Sequence, residues 1–190
     1  MITITNDRHK FIGGSECNMI YMNYETATFK KWWSKKLAGV TEDFYTNKAM
    51  SVGTILEHDI LDLYERVHDV KGIRDDQKIK GIARANTDYI LGDKVSDVKA
   101  TSKAFEWFLK GSIPIHYKRQ LTHYRYVYGL NRASIIAYQV DDTLLDNPFK
   151  DLDELKLFEI DVDITDQEIK EHKQRLDYLE HCKEMNIFPR

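Results

Sequence analysis

Asp97 and Lys99 stand two residues apart in the run Val95-Ser96-Asp97-Val98-Lys99, and Asp88 precedes them across a Gly92-Asp93 pair. Tyr89, Ile90 and Leu91 form an apolar arm, and Val95 to Lys99 alternate on the return, so residues 88–99 read as a β-hairpin with a tight turn at Gly92-Asp93. Side chains two apart on a strand share a face. Asp97 and Lys99 are then neighbours, Val98 points the other way into a core, and Asp88 on the opposite arm can sit beside them. Two carboxylates and an ammonium on one face make a poor core, because charges are seldom buried unpaired. They make a good seat for a hard divalent cation and a reacting phosphate.

The elements that must position this hairpin follow from the rest of the chain. Residues 1–10 are polar and lead in to Ile12-Gly13-Gly14-Ser15, where Ser15 can cap a short helix through Ile20. A glycine-preceded helix start can seat a phosphate; the same residues also serve as a plain loop and cap. Residues 26–38 read as a helix stopped by Gly39, with Phe29, Trp33 and Leu37 as its buried stripe. Its lysines (Lys30, Lys31, Lys35, Lys36) are either solvated or laid along a nucleic-acid backbone. Residues 47–67 read as a long helix capped by Thr46 or Asn47, with Ile55, Leu56, Ile60, Leu61, Leu63 and Tyr64 on a wide apolar face. Glu57 falls beside that face, either solvated or turned toward the hairpin.

Residues 68–78 are polar and read as loop or the start of a strand. After the hairpin come a helix to Lys110 stopped by Gly111, and a second from Pro114 to Tyr128 stopped by Gly129. The second places Gln120 and Tyr124 on one face, and Lys118, Arg119, His123 and Arg125 make it locally basic. Residues 132–140 read as a buried strand, 141–153 as an acidic loop and 155–162 as another strand. Thr165 and Glu168 form a capping box for a last amphipathic helix, on which His172 and His181 read as surface residues.

With 190 residues, 42% of them apolar, and a net charge of −3, the chain reads as one domain over 1–190 with a sizeable core and no global basic field. Cys17 and Cys182 form no metal pattern and read as reduced thiols. No apolar run approaches the ~18 residues of a membrane span, and no signal sequence opens the chain, so the expectation is a cytoplasmic protein with no membrane partner.

Asp88 with Asp97-Val98-Lys99 resembles the PD-(D/E)XK nuclease signature, and the order of the flanking motifs resembles its lambda-exonuclease-like and RecB-type branch. Arg8 with Ile12-Gly13-Gly14-Ser15, Gly53 to Glu57 with Ile60 to Glu65, and Gln120 with Tyr124 fall in that family's order. Two positions depart from it: Glu16 stands where aspartate is frequent, and Thr87 where proline usually precedes the aspartate.

The resemblance implies an α/β fold, a central mixed sheet flanked by helices around a restriction-endonuclease-like core. It implies Asp88, Asp97, Glu57 and the Val98 carbonyl as ligands of Mg²⁺, with Mn²⁺ able to substitute. Lys99 would act on the attacking water or the phosphorane, Gln120 and Tyr124 would attend the site, and Arg8 and Ser15 would hold a 5′-terminal phosphate. The implied activity is exonucleolytic digestion of duplex DNA ends, 5′ to 3′, in phage-type recombination within a bacterial host. A single-strand annealing protein and a ring trimer are the implied partners. The alternatives are an endonuclease of the same fold and a non-catalytic DNA-end-binding or regulatory protein.

Overall fold

The computed structural model describes residues 7–40 and 48–190; the residues expected to cap the long helix, Thr46 and Asn47, and the start of the polar lead lie outside them. Helices α1 (Cys17–Ile20), α2 (Ala27–Ala38) and α3 (Lys48–His68) precede the main strands. Strands β2 (Ile73–Lys80), β3 (Ala83–Leu91) and β4 (Lys94–Thr101) follow, then α4 (Ala104–Lys110), α5 (Ile115–Tyr128), β5 (Arg132–Gln139), α6 (Asp142–Asp146), β6 (Leu157–Asp161) and α7 (Asp166–Glu184). A two-residue strand, β1 (Ile12–Gly13), lies near the start. The local signals act as expected. Thr26 accepts the Phe29 N–H at the start of α2, and Gly39, Gly111 and Gly129 take φ of +71°, +58° and +73° at three helix ends. Thr165 and Glu168 cap α7 reciprocally.

The strands form a mixed α/β sheet in the order β1-β3-β4-β5-β6, with β2 on the remaining edge of β3. β2 pairs antiparallel along β3 from Ile73↔Ile90 to Lys80↔Ala83. The other edge of β3 is shared. β4 takes Tyr89 to Leu91 and β1 takes Ala83 and Arg84, leaving residues 85–88 of that edge without a strand partner. β4 meanwhile stays paired with β5 from Lys94↔Arg132 to Thr101↔Gln139. The sheet therefore opens between β3 and β4 at Asp88 and Asp97.

Two apolar clusters cover the two faces. Phe29, Trp33, Leu121, Ile135 and Leu176 belong to one, drawn from α2, α5, β5 and α7. Leu56, Ile60, Tyr64, Tyr89, Val98 and Ile136 belong to the other, under α3. Val98 thus points away from Asp97 into a core, as alternation requires. Alternation breaks in β3: Ala83 and Ala85 lie in one cluster and Tyr89 in the other, so the strand is distorted where Asp88 sits.

Some expectations needed correction. The polar stretch read as loop or strand start is the full strand β2, exposed or half-buried along its length, so it carries no apolar alternation. The acidic loop contains α6, started by Asp141 accepting the Leu144 N–H. Ile55 is exposed rather than part of the α3 face. Ser15 caps no helix; it lies inside a 3-10 turn, Gly14–Glu16, and the Gly13 N–H is taken by the Glu16 carboxylate at 3.0 Å. Cys17 and Cys182 are both free and buried.

His172, expected at the surface, is 0% exposed. It accepts from Tyr21 Oη at Nδ1 (2.7 Å) and lies 3.0 Å from His123 Nδ1 through Nε2, while His123 Nε2 reaches the Arg84 carbonyl at 3.2 Å. Two neutral imidazoles satisfy every link of this chain, each donating from Nε2. Burial pushes both below the ordinary histidine range, His123 to about 4 and His172 to about 3, the latter also repelled by His123. Folded values below the unfolded ~6.5 mean that the unfolded chain takes up protons first as pH falls, so stability is complete above ~6.5 and is lost toward 4. Urea unfolding of wild type and His172→Gln at about pH 7 and about pH 5 checks this. The wild type is expected to lose about 2 kcal/mol more than the variant over that interval, from about 1.4 kcal/mol per pH unit below 6.5. Equal losses would contradict the buried neutral pair.

Candidate active site

The opening between β3 and β4 gathers the ionisable side chains singled out in the sequence. Asp88 Oδ2 accepts the Val98 N–H at 2.7 Å, so a carboxylate takes the main-chain donor that faces β3. Thr87 serves the complementary group, its hydroxyl donating to the Ser96 carbonyl at 3.2 Å. Buried main-chain groups need partners, and here side chains supply them while the strands part. This gives Thr87, which departs from the family's proline, a physical role.

Asp97, 2% exposed, has one oxygen held and one left over. Gln120 Nε2 donates to Oδ1 at 2.9 Å and also to Tyr124 Oη at 2.7 Å. Oδ2 is buried without a hydrogen bond, although the Lys99 ammonium lies in ion-pair contact with it. Lys99 further donates to the Val98 carbonyl at 3.2 Å and lies 5.3 Å above the Tyr117 ring. Burial opposes the Lys99 charge, but Asp97 and Asp88 outweigh it and hold the amine protonated. Burial and then Asp97 raise Asp88 well above the usual carboxylate range. Glu57, half-buried on α3, is raised by burial and then by Asp75, and it feels both Lys99 and Asp97. Carboxylates from α3, β3 and β4 are thus within electrostatic reach of one another and of one ammonium.

The donor chemistry suits a hard divalent cation: carboxylate oxygens, a main-chain carbonyl at Val98 and a buried Asp97 oxygen lacking a hydrogen bond. Among the described residues no three His, Cys, Asp or Glu side chains form a ready-made ligand set. The Asp88 and Asp97 oxygens are engaged by Val98 N–H, Gln120 and Lys99 instead.

The structure brings together Asp88, Asp97, Lys99, Gln120 and Tyr124 by direct contacts, and Glu57 by its field. Ser15 is exposed on the 3-10 turn beside Gly14, and Gly14 lies against Tyr124: a Cβ built there would meet the ring at 2.4 Å. Arg8 lies in a preceding 3-10 turn, Arg8–Lys10. Of the residues expected to make α5 locally basic, His123 and Arg125 point inward, Arg125 donating to the Leu130 and Ile164 carbonyls. Lys118 pairs with Glu168, and Arg119 donates to Asn18. Asp75, in the stretch read as loop or the start of a strand, was not singled out; it lies between the pairs Arg74↔Tyr89 and Asp76↔Thr87, opposite Asp88, with φ +52°.

An open mixed sheet whose parting strands carry an acid and an acid-x-lysine strand is the core of the PD-(D/E)XK class. Residues 5–131 match the model of the YqaJ-like viral recombinase domain, and the chain belongs to that family. The fold is similar to that of an alkaline exonuclease from Laribacter hongkongensis, with a TM-score of 0.74 and 19% identity over 94% of this chain and 90% of that one. The same exonuclease in complex with dAMP gives a TM-score of 0.71 and 18% identity over 95% and 91%. A phage-related exonuclease from Haemophilus somnus gives a TM-score of 0.67 and 13% identity over 92% and 94%. No curated protein sequence matches the chain.

The Gly14–Tyr124 contact can be tested against its neighbour. Gly14→Ala forces Tyr124 off Gln120 and is expected to destabilise the fold by about 1–3 kcal/mol, the usual range for overpacking. Gly13→Ala meets only Glu16 Oε2, at 3.6 Å, an ordinary contact. Its melting temperature should stay near wild type. Equal melting of the two variants would show that the Tyr124 contact carries no weight.

Proposed function

We propose that the chain is a metal-dependent deoxyribonuclease that hydrolyses phosphodiester bonds from duplex DNA ends, 5′ to 3′, as one nuclease domain over residues 1–190. The observation that carries this reading is the meeting of Asp88, Asp97, Lys99 and Gln120 where β3 and β4 part, with Glu57 within electrostatic reach. Membership of a viral recombinase family and the exonuclease names of its structural relatives support it.

Asp88, Asp97, Glu57 and the Val98 carbonyl would hold Mg²⁺, for which Mn²⁺ would substitute. Such an ion, when bound, supplies charge stabilisation for the attacking and leaving oxygens of an in-line displacement. The protein's own groups do the rest. Lys99 orients the attacking water and offsets negative charge on the oxygens of the phosphorane. Gln120 fixes the Asp97 carboxylate, and Tyr124 backs Gln120. Arg8 and Ser15 hold the terminal phosphate and so select a 5′ end. The setting is the cytoplasm of a bacterial host, with a single-strand annealing protein and a ring trimer as the partners the family suggests; among the described residues no helix is long and apolar enough to cross a membrane.

Asp97→Ala and Lys99→Ala are expected to keep the wild-type fold by circular dichroism. Both should lose Mg²⁺-dependent degradation of linear duplex by at least about 100-fold, the lower range for a lost proton-transfer or charge-stabilising group. Activity retained in either folded variant rejects the site. Covalently closed circular DNA should survive; its cleavage would favour an endonuclease of this fold.

A further inference from the structure

Residues 8–16 contain both candidate phosphate-binding side chains, yet no long helix supports them. Besides the short β1–β3 pairing and the Gly14–Tyr124 contact, a pair of lysines holds them. Lys36 on α2 is 6% exposed, and its ammonium donates to the Arg8 carbonyl (2.9 Å), the Phe11 carbonyl (2.6 Å) and Glu16 Oε2 (2.9 Å). An ammonium has three donors, so Lys36 is fully committed and has none left for a ligand. Lys183 on α7 donates to the His9 carbonyl (2.8 Å) and the Lys10 carbonyl (2.5 Å). Four consecutive carbonyls, 8 to 11, therefore all face lysine ammonium groups.

Glu16 completes the link. Besides Lys36, it accepts the Gly13 N–H and the Trp32 indole N–H, both at 3.0 Å. Lys36 thus bridges the Arg8 side of the segment to the Ser15 side through one atom. Charge is unevenly matched here. Burial lowers Lys36 despite Glu16, with Arg8 and Arg84 adding repulsion, and burial followed by Lys36 lowers Lys183 to about 8. An anion arriving beside Arg8 would relieve that repulsion.

We infer that Lys36, seconded by Lys183, is a positioning residue that fixes the spacing between Arg8 and Ser15 and so sets recognition of a terminal phosphate dianion on DNA. This rests on the reading of Arg8 and Ser15 given above. Lys36, with all three donors engaged, acts on the phosphate only through the segment it holds. Lys183 lies beyond the 5–131 region that matches the family model, so part of the support comes from the last helix of this chain.

The test compares digestion of two duplexes that differ only in carrying a 5′-phosphate or a 5′-hydroxyl, by wild type, Lys36→Met and Glu16→Gln, with thermal melting as the check of folding. Glu16→Gln keeps one acceptor oxygen, which can serve Gly13 at the cost of the Trp32 indole bond, and removes the charge that Lys36 engages; it decides the matter should Lys36→Met fail to fold. The expected result is a preference for phosphorylated ends, as a ratio of kcat/KM, that falls at least tenfold in the variants and mainly through KM. A merely structural role lowers both substrates equally and leaves the ratio intact; that result in a folded variant overturns the inference while the Arg8 and Ser15 seat stands. A wild type indifferent to the 5′-phosphate overturns the seat itself, and the inference with it.

Discussion

The protein is organised by a single concession in its sheet: β4 remains paired to β5 over its whole length while it leaves β3 after only three residue pairs. Parting two central strands leaves main-chain donors and acceptors unpaired in the interior, which costs about as much as a lost hydrogen bond for each. Asp88 and Thr87 offset that cost by bonding Val98 N–H and Ser96 carbonyl with their side chains. The opening, the turning of Asp97 and Lys99 toward it, and the placing of Asp88 beside them all follow from that exchange.

A second layer, α5, then fixes what the opening leaves loose. Gln120 reaches Asp97, Tyr124 one turn further on accepts from Gln120, and Tyr117 lies under the Lys99 ammonium. Gly14 lets Tyr124 lie flush against the N-terminal segment. A side chain at Gly14 would displace the phenol, so the segment bearing Ser15 and the carboxylate on β4 are joined through one helix. This chain of contacts links the segment proposed to seat a DNA end to the carboxylates proposed to hold the metal.

How legible all this was in the sequence depended on range. The hairpin, the helix stops at Gly39, Gly111 and Gly129, the Thr165 cap and the Gln120–Tyr124 spacing are set by residues within a few positions of one another, and each could be read locally. β2 could not, because an edge strand wet on both sides has no apolar period. His172, His123, Arg125 and Lys36 were misplaced toward solvent for a different reason. Polar type predicts exposure only when partners are absent, and theirs, Tyr21, Arg84, Ile164 and Glu16, lie 20 to 151 residues away. The family resemblance pointed to the acids that meet where β3 and β4 part; it said nothing of the lysines that hold residues 8–11.

The central claim is that the oxygens of Asp88, Asp97 and the Val98 carbonyl surround one divalent ion with Glu57 nearby. Diffraction from crystals grown with Mn²⁺, measured for anomalous scattering, tests it most directly. The account predicts a peak within ligand distance of Asp88 and Asp97 that disappears in Asp97→Asn. A peak bound elsewhere, or one at the same place in the variant, would contradict it.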